Sequence, residues 1–83
     1  MKVAFVGHPY HEKTRSADFF INILRSADVE IELFYDRFFY DNRPSCLQEL
    51  LDGDHDVIYL WQTEYLAPDL VRAGKRVVAI PMY

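Results

Sequence analysis

Most of the residues equipped for chemistry sit in one stretch near the amino end. After the apolar run Val3-Ala4-Phe5-Val6 comes Gly7-His8-Pro9-Tyr10-His11-Glu12-Lys13-Thr14-Arg15-Ser16. Gly7 has no side chain to keep a ligand off the backbone. Thr14, Ser16 and the free amides of a helix opening at that point would hold an anion, with added charge from Lys13 and Arg15. Such a stretch is a cradle for a phosphate or a sugar acceptor, although neither G-x-G-x-x-G nor G-K-S/T occurs in it. A solvated loop without a ligand has the same composition.

His8, His11 and Glu12 raise two further possibilities. Zinc needs three or four converging ligands, and neither H-E-x-x-H nor paired C-x-x-C is present, so no metal is expected. One histidine of this loop would suit a general base acting on an acceptor hydroxyl; a polar loop histidine without a catalytic task is the commoner case. Gln62, directly after Trp61, is placed to hydrogen-bond a hydroxyl or to satisfy nearby backbone. The candidate ligand set is therefore Gly7, His8, Thr14, Ser16 and Gln62, with no catalytic residue assigned and no cofactor expected. Cys46, between Ser45 and Leu47, reads as inert packing. The run Phe34-Tyr35-Asp36-Arg37-Phe38-Phe39-Tyr40 either folds back as satellite core or offers stacking surface to a sugar or a partner chain.

Positioning these residues requires strands and helices in alternation. Lys2 to Val6 is apolar without alternation, as in a strand covered on both faces. Ser16 is an N-cap for a helix over Ala17–Ala27, with the apolar stripe Ala17, Phe20, Ile21 and Leu24. Val29 to Tyr35 alternates, with Glu30 and Glu32 on one face, which suits an edge strand. Asp36 to Pro44 reads as loop. Ser45 and Gln48 have the spacing of a capping box ahead of a short helix ending at Gly53. Val57-Ile58-Tyr59-Leu60-Trp61 is a second fully apolar strand. Pro68 marks the first turn of a helix through Ala73, with Gly74 at its carboxyl cap. Val77-Val78-Ala79-Ile80 is a third apolar strand, followed by Pro81-Met82-Tyr83.

The order βαβαβαβ gives an α/β fold with a parallel sheet, because each helix is a right-handed crossover. The acidic face of the second strand puts it at an edge beside the first, so the spatial order is 2-1-3-4 with three helices. This is a partial doubly wound sheet, flavodoxin-like or more broadly Rossmann-like. Ligands of such sheets bind beyond the carboxyl ends of the strands where the order reverses, here between strands one and three. One helix alone serves one face of the sheet. The last apolar strand would then lack cover on that side, which predicts either a larger fold with further chain or a homo-oligomer.

The 83 residues, 51% apolar and 27% charged, describe one small domain. Nine Lys and Arg against thirteen Asp and Glu give a net charge of −4, which argues against nucleic-acid binding through a broad basic face. No apolar run approaches a membrane span. A single cysteine points to a reducing, cytoplasmic setting.

Three short motifs carry a resemblance. Met1-Lys2-Val3-Ala4-Phe5-Val6-Gly7-His8-Pro9 resembles the opening strand and loop of GT-B glycosyltransferases of the group 1 type. Asp56-Val57-Ile58-Tyr59-Leu60-Trp61-Gln62 is similar to their D-V-I strand, and Val77-Val78-Ala79-Ile80-Pro81-Met82-Tyr83 looks like the strand that leads into an active-site loop. The resemblance implies an amino-terminal acceptor-binding segment that takes a sugar or sugar phosphate at Gly7, His8 and Gln62. In that family a second domain binds the nucleotide sugar, so these 83 residues would be catalytically incomplete. A different class remains open: a small interaction module that dimerises through its last strand.

Overall fold

The computed structural model describes residues 1–8 and 18–80. The elements are β1 (Lys2–Gly7), α1 (Asp18–Ser26), β2 (Glu30–Tyr35), α2 (Phe38–Asp41), α3 (Leu47–Asp52), β3 (Val57–Trp61), a 3-10 turn (Glu64–Leu66), α4 (Ala67–Arg72) and β4 (Val77–Ile80). All strand pairs are parallel and the sheet order is β2-β1-β3-β4. The chain is thus an α/β fold with the edge and central strands where the apolar patterning placed them.

Strand alternation separates two faces. Ala4, Val6, Phe34, Ile58 and Leu60 point to one side, where Leu50 of α3, Leu70 of α4 and Leu66 of the 3-10 turn close over them. Val3 and Phe5 point the other way, and Phe5 packs with Ile21 of α1, flanked by Phe20, Leu24, Ile31, Tyr59 and Trp61. β1 is enclosed from Val3 to Gly7, and Val3, Ala4 and Val6 have no exposed surface. β2 is the half-exposed edge strand, with Glu30, Glu32 and Leu33 exposed and Phe34, on the same face as the two glutamates, buried. Leucines at full burial contribute about 1.5–3 kcal/mol each, so the face carrying Leu50, Leu60, Leu66 and Leu70 holds most of the stability.

Two local expectations need correction. Residues 36–44 are not wholly loop, because Phe38–Asp41 form one helical turn. Its N–H at Phe38 is capped by the Asp36 carboxylate at 3.2 Å, and Arg37 pairs with Asp41 four residues on at 3.1 Å. It stops at Asn42, which takes the left-handed conformation at φ 58°. The Ser45–Gln48 capping box does not form. The Ser45 hydroxyl accepts the Arg37 N–H instead (2.9 Å), and Gln48 donates to Asp52 (2.9 Å). Asp36 outcompetes Ser45 because a buried carboxylate is a stronger acceptor than a hydroxyl for free backbone amides. It takes the N–H groups of Ser45 (2.7 Å) and Cys46 (2.8 Å). Gly74 ends α4 at φ 81°, the conformation for which glycine is suited.

The helix expected over Ala17–Ala27 is present over Asp18–Ser26. Its proposed cap Ser16 lies outside the described residues, as do the other residues of 9–17 and Pro81-Met82-Tyr83.

Candidate functional site

β1 leads to α1 on one face of the sheet, whereas β3 leads to α4 on the other. Their adjacent carboxyl ends therefore diverge into a crevice, the position at which open α/β sheets bind ligands. Parallel register pairs Val6 with Leu60, so Gly7 ends β1 with His8 after it, and Trp61 ends β3 with Gln62 after it, at the same end of the sheet. Gly7 is buried, and its carbonyl accepts the Asp36 N–H at 2.8 Å. His8 is half-buried, with its ring 5.2 Å from that of Tyr40. Gln62 ends β3 at φ 60°, a left-handed conformation that few non-glycine residues adopt. Its N–H is held by the Ile80 carbonyl at 2.8 Å, so the turn is fixed on one side.

Of the expected ligand set, Gly7, His8 and Gln62 lie at the carboxyl end of β1 and β3. Thr14 and Ser16 lie outside the described residues, as do His11, Glu12, Lys13 and Arg15.

Two residues behind the rim were not singled out by sequence. Asp36, at the carboxyl end of β2, is fully buried. Beyond the amides already named, it accepts the Tyr65 hydroxyl at 2.6 Å, so it joins the start of α2, the start of α3 and the 3-10 turn. The available signal was an Asp following the last strand residue, the position of an N-cap. Burial and this hydrogen bond to Asp36 push the Tyr65 hydroxyl far above the ordinary phenol range. The Tyr65 ring also lies 4.6 Å from Phe38, so part of the aromatic run does fold back as satellite packing. Tyr40 is different: 57% exposed, it faces His8 on one side and carries the Arg37 guanidinium 5.2 Å from its ring centre. Thr63 is the second residue missed. Fully buried, its hydroxyl donates to the Val6 carbonyl at 3.2 Å and fastens the β3 turn to β1.

Cys46 is buried, and that burial pushes its thiol upward, away from the reactive thiolate. It packs as expected. Among the described residues no group of three or more His, Cys, Asp or Glu side chains is placed to hold a metal ion.

A second concavity, of about 330 Å³, lies at the opposite, amino-terminal edge of the sheet. Glu32, Glu49, Asp52 and Asp54 line it, against the single cation Lys2. Lys2 is held by Asp54 at 2.8 Å, which raises the ammonium and lowers the carboxyl from their usual values. His55 sits in its wall with a side chain only 3% exposed, bonded to Glu32 at 2.7 Å. This excess of carboxylates repels a phosphate, so the two edges differ in the ligands they admit.

Compared with protein-family models, curated proteins and solved structures, the chain matches none of them.

Proposed function

We propose that the chain is a binding module for a polyhydroxylated small molecule, a sugar or sugar phosphate, held at the carboxyl edge between β1 and β3. On the resemblance of its opening strand, its Asp56–Gln62 segment and its last strand, the finer reading is the acceptor-side segment of a GT-B glycosyltransferase. The observation that carries the proposal is the position of His8 and the left-handed Gln62 at the carboxyl ends of β1 and β3, the adjacent strands between which the order reverses. Gln62 offers a carboxamide able to donate and accept, and His8 an imidazole beside an exposed phenol ring, whereas Gly7 is buried and its carbonyl already holds the Asp36 N–H. Stacking of a pyranose on Tyr40 fits the same geometry. No member of this set is an activated nucleophile, so transfer would require groups from another domain.

The test is a titration of the ¹⁵N-labelled protein with sugar phosphates and nucleotide sugars. The amides of Gly7, His8 and Gln62 should shift together and saturate, while Asp52, Asp54 and His55 at the other edge stay in place. Shifts confined to the other edge, or none at all at millimolar ligand, would refute the reading.

A second reading, an interaction module that dimerises through β4, is favoured by the exposure of that strand, where Val78 is 40% exposed. A concentration-dependent dimer in sedimentation would support it.

A further inference from the structure

Carboxylates crowd the amino-terminal edge of the sheet, opposite the rim of His8 and Gln62. Glu32 of β2, Glu49 and Asp52 of α3, and Asp54 just beyond it line the concavity of about 330 Å³ there. Lys2 neutralises Asp54 at 2.8 Å, whereas Asp52 meets the uncharged carboxamide of Gln48 at 2.9 Å. Glu49 has no side-chain partner among the described residues. Charge of one sign gathered in a hollow raises the local concentration of the opposite ion.

The wall of the concavity carries an independent sign of a ligand. The His55 side chain is 3% exposed, its Nε2 lies 2.7 Å from Glu32, and Phe34 packs edge-on against the ring at 5.7 Å. A carboxylate only accepts hydrogen bonds, so the neutral ring donates from Nε2. Nδ1 is then a lone pair that needs a donor. None reaches it: Nδ1 is buried without a hydrogen-bond partner, which native packing seldom allows. The ring edge that bears Nδ1 faces Gly53, the one lining residue without a side chain. A Cβ at that position would lie 2.8 Å from Nδ1 and 3.1 Å from the Glu49 carbonyl oxygen. Two acceptors thus border the space that the glycine leaves open in the wall.

We propose that this concavity binds an aliphatic diamine, one ammonium donating to His55 Nδ1 and the other balanced by Glu49 and Asp52. The carboxylates select a cation, and the Nδ1 lone pair selects one that carries N–H donors. Among the described residues no three His, Cys, Asp or Glu side chains are placed to hold a metal ion. The negative charge is therefore spread over the hollow, and it is matched by charge spread along a chain. A volume near the lower end of the ~300–1,000 Å³ of small-molecule sites suits a short one. The protein's own ammonium groups settle at the same place: Lys2 on Asp54, and Lys75 on the Gly53 carbonyl at 2.9 Å.

The probe is 1,4-diaminobutane, titrated into the full chain at fixed ionic strength so that general screening stays constant. Long-range ¹H–¹⁵N correlation reads the ring nitrogens of His55, assigned by the loss of their signals in His55→Gln. Nδ1 should move upfield as it accepts a hydrogen bond and should saturate in step with the amides of Asp52, Gly53 and Asp54. Glu49→Gln should weaken binding about threefold, the worth of one exposed charge pair. Glu64→Gln, at the carboxyl edge of the sheet, should leave it unchanged. Gly53→Ala, which fills the space beside Nδ1, should abolish the Nδ1 shift; where circular dichroism shows that variant unfolded, Asp52→Asn replaces it, with the same threefold loss as Glu49→Gln. An Nδ1 resonance that stays in place at millimolar diamine overturns the proposal, even where the surrounding amides move. So does an equal response to magnesium chloride or to uncharged 1,4-butanediol, or equal binding by Glu49→Gln.

Discussion

Removing the Asp36 carboxylate should cost more stability than any other single polar change in the chain. This carboxylate is fully buried and has no cationic partner among the described residues, so its hydrogen bonds must offset its loss of water. Asp36→Ala strands the amides of Phe38, Ser45 and Cys46 and the Tyr65 hydroxyl. Phe38 and Ser45 are near enough to the surface to recruit water, whereas Cys46 N–H is buried. Bonds to a charged acceptor are worth about 1.5–3 kcal/mol, and the relief of the buried charge returns part of the sum, so a net loss of about 3–4 kcal/mol is expected. A chain of this length has about 4–12 kcal/mol in total, so the variant should lie close to unfolding. Asp36→Asn keeps the shape and one acceptor but turns an NH2 toward donors, for a loss of about 2 kcal/mol. Urea denaturation followed by Trp61 emission measures both, read as a lower midpoint at unchanged slope. With Tyr65→Phe as the second mutation, a double-mutant cycle should give about 1–2 kcal/mol of coupling. If Asp36→Ala loses less than about 1 kcal/mol, the carboxylate is not the organising group described here.

Three other changes test separate features. Asp28, just past the end of α1, is held at φ 62° and adds negative charge at the helix's negative pole, so Asp28→Gly should raise stability by about 1 kcal/mol in the same urea assay. At Gly53 a Cβ would lie 2.8 Å from Nδ1 of the buried His55 ring, so Gly53→Ala should lose about 1–3 kcal/mol and shift the His55 ring resonances. Tyr65 is raised above the ordinary phenol value of about 10 when folded; its contribution is thus complete below that pH and is lost as pH climbs toward the folded value. Absorbance at 295 nm should show a tyrosine ionising only as the protein unfolds in alkali, and Tyr65→Phe should abolish that late step.

Strand order was legible because burial on two faces and on one face leave different patterns. β1, with Val3 to Val6 all apolar, had to be central, and the Glu30–Glu32 alternation had to be an edge. Local polar chemistry was less legible. Ser45 and Gln48 have capping-box spacing, yet a carboxylate nine residues earlier takes the amide that Ser45 would have served locally. Spacing rules see neighbours in sequence, and Asp36 reaches its partners through the fold. Thr63 was hidden for the same reason, since its partner is the Val6 carbonyl on another strand. That Gln62 follows directly on the end of β3 needed only the strand boundaries, but nothing in its side chain announced a φ of 60°.

The knot of bonds around Asp36 also has a kinetic consequence. It ties segments up to 29 residues apart, so none of them can open singly without breaking the others. The amides of Phe38, Ser45 and Cys46 should therefore exchange with deuterium at one shared rate, set by unfolding of the whole chain, although two of them lie close to solvent.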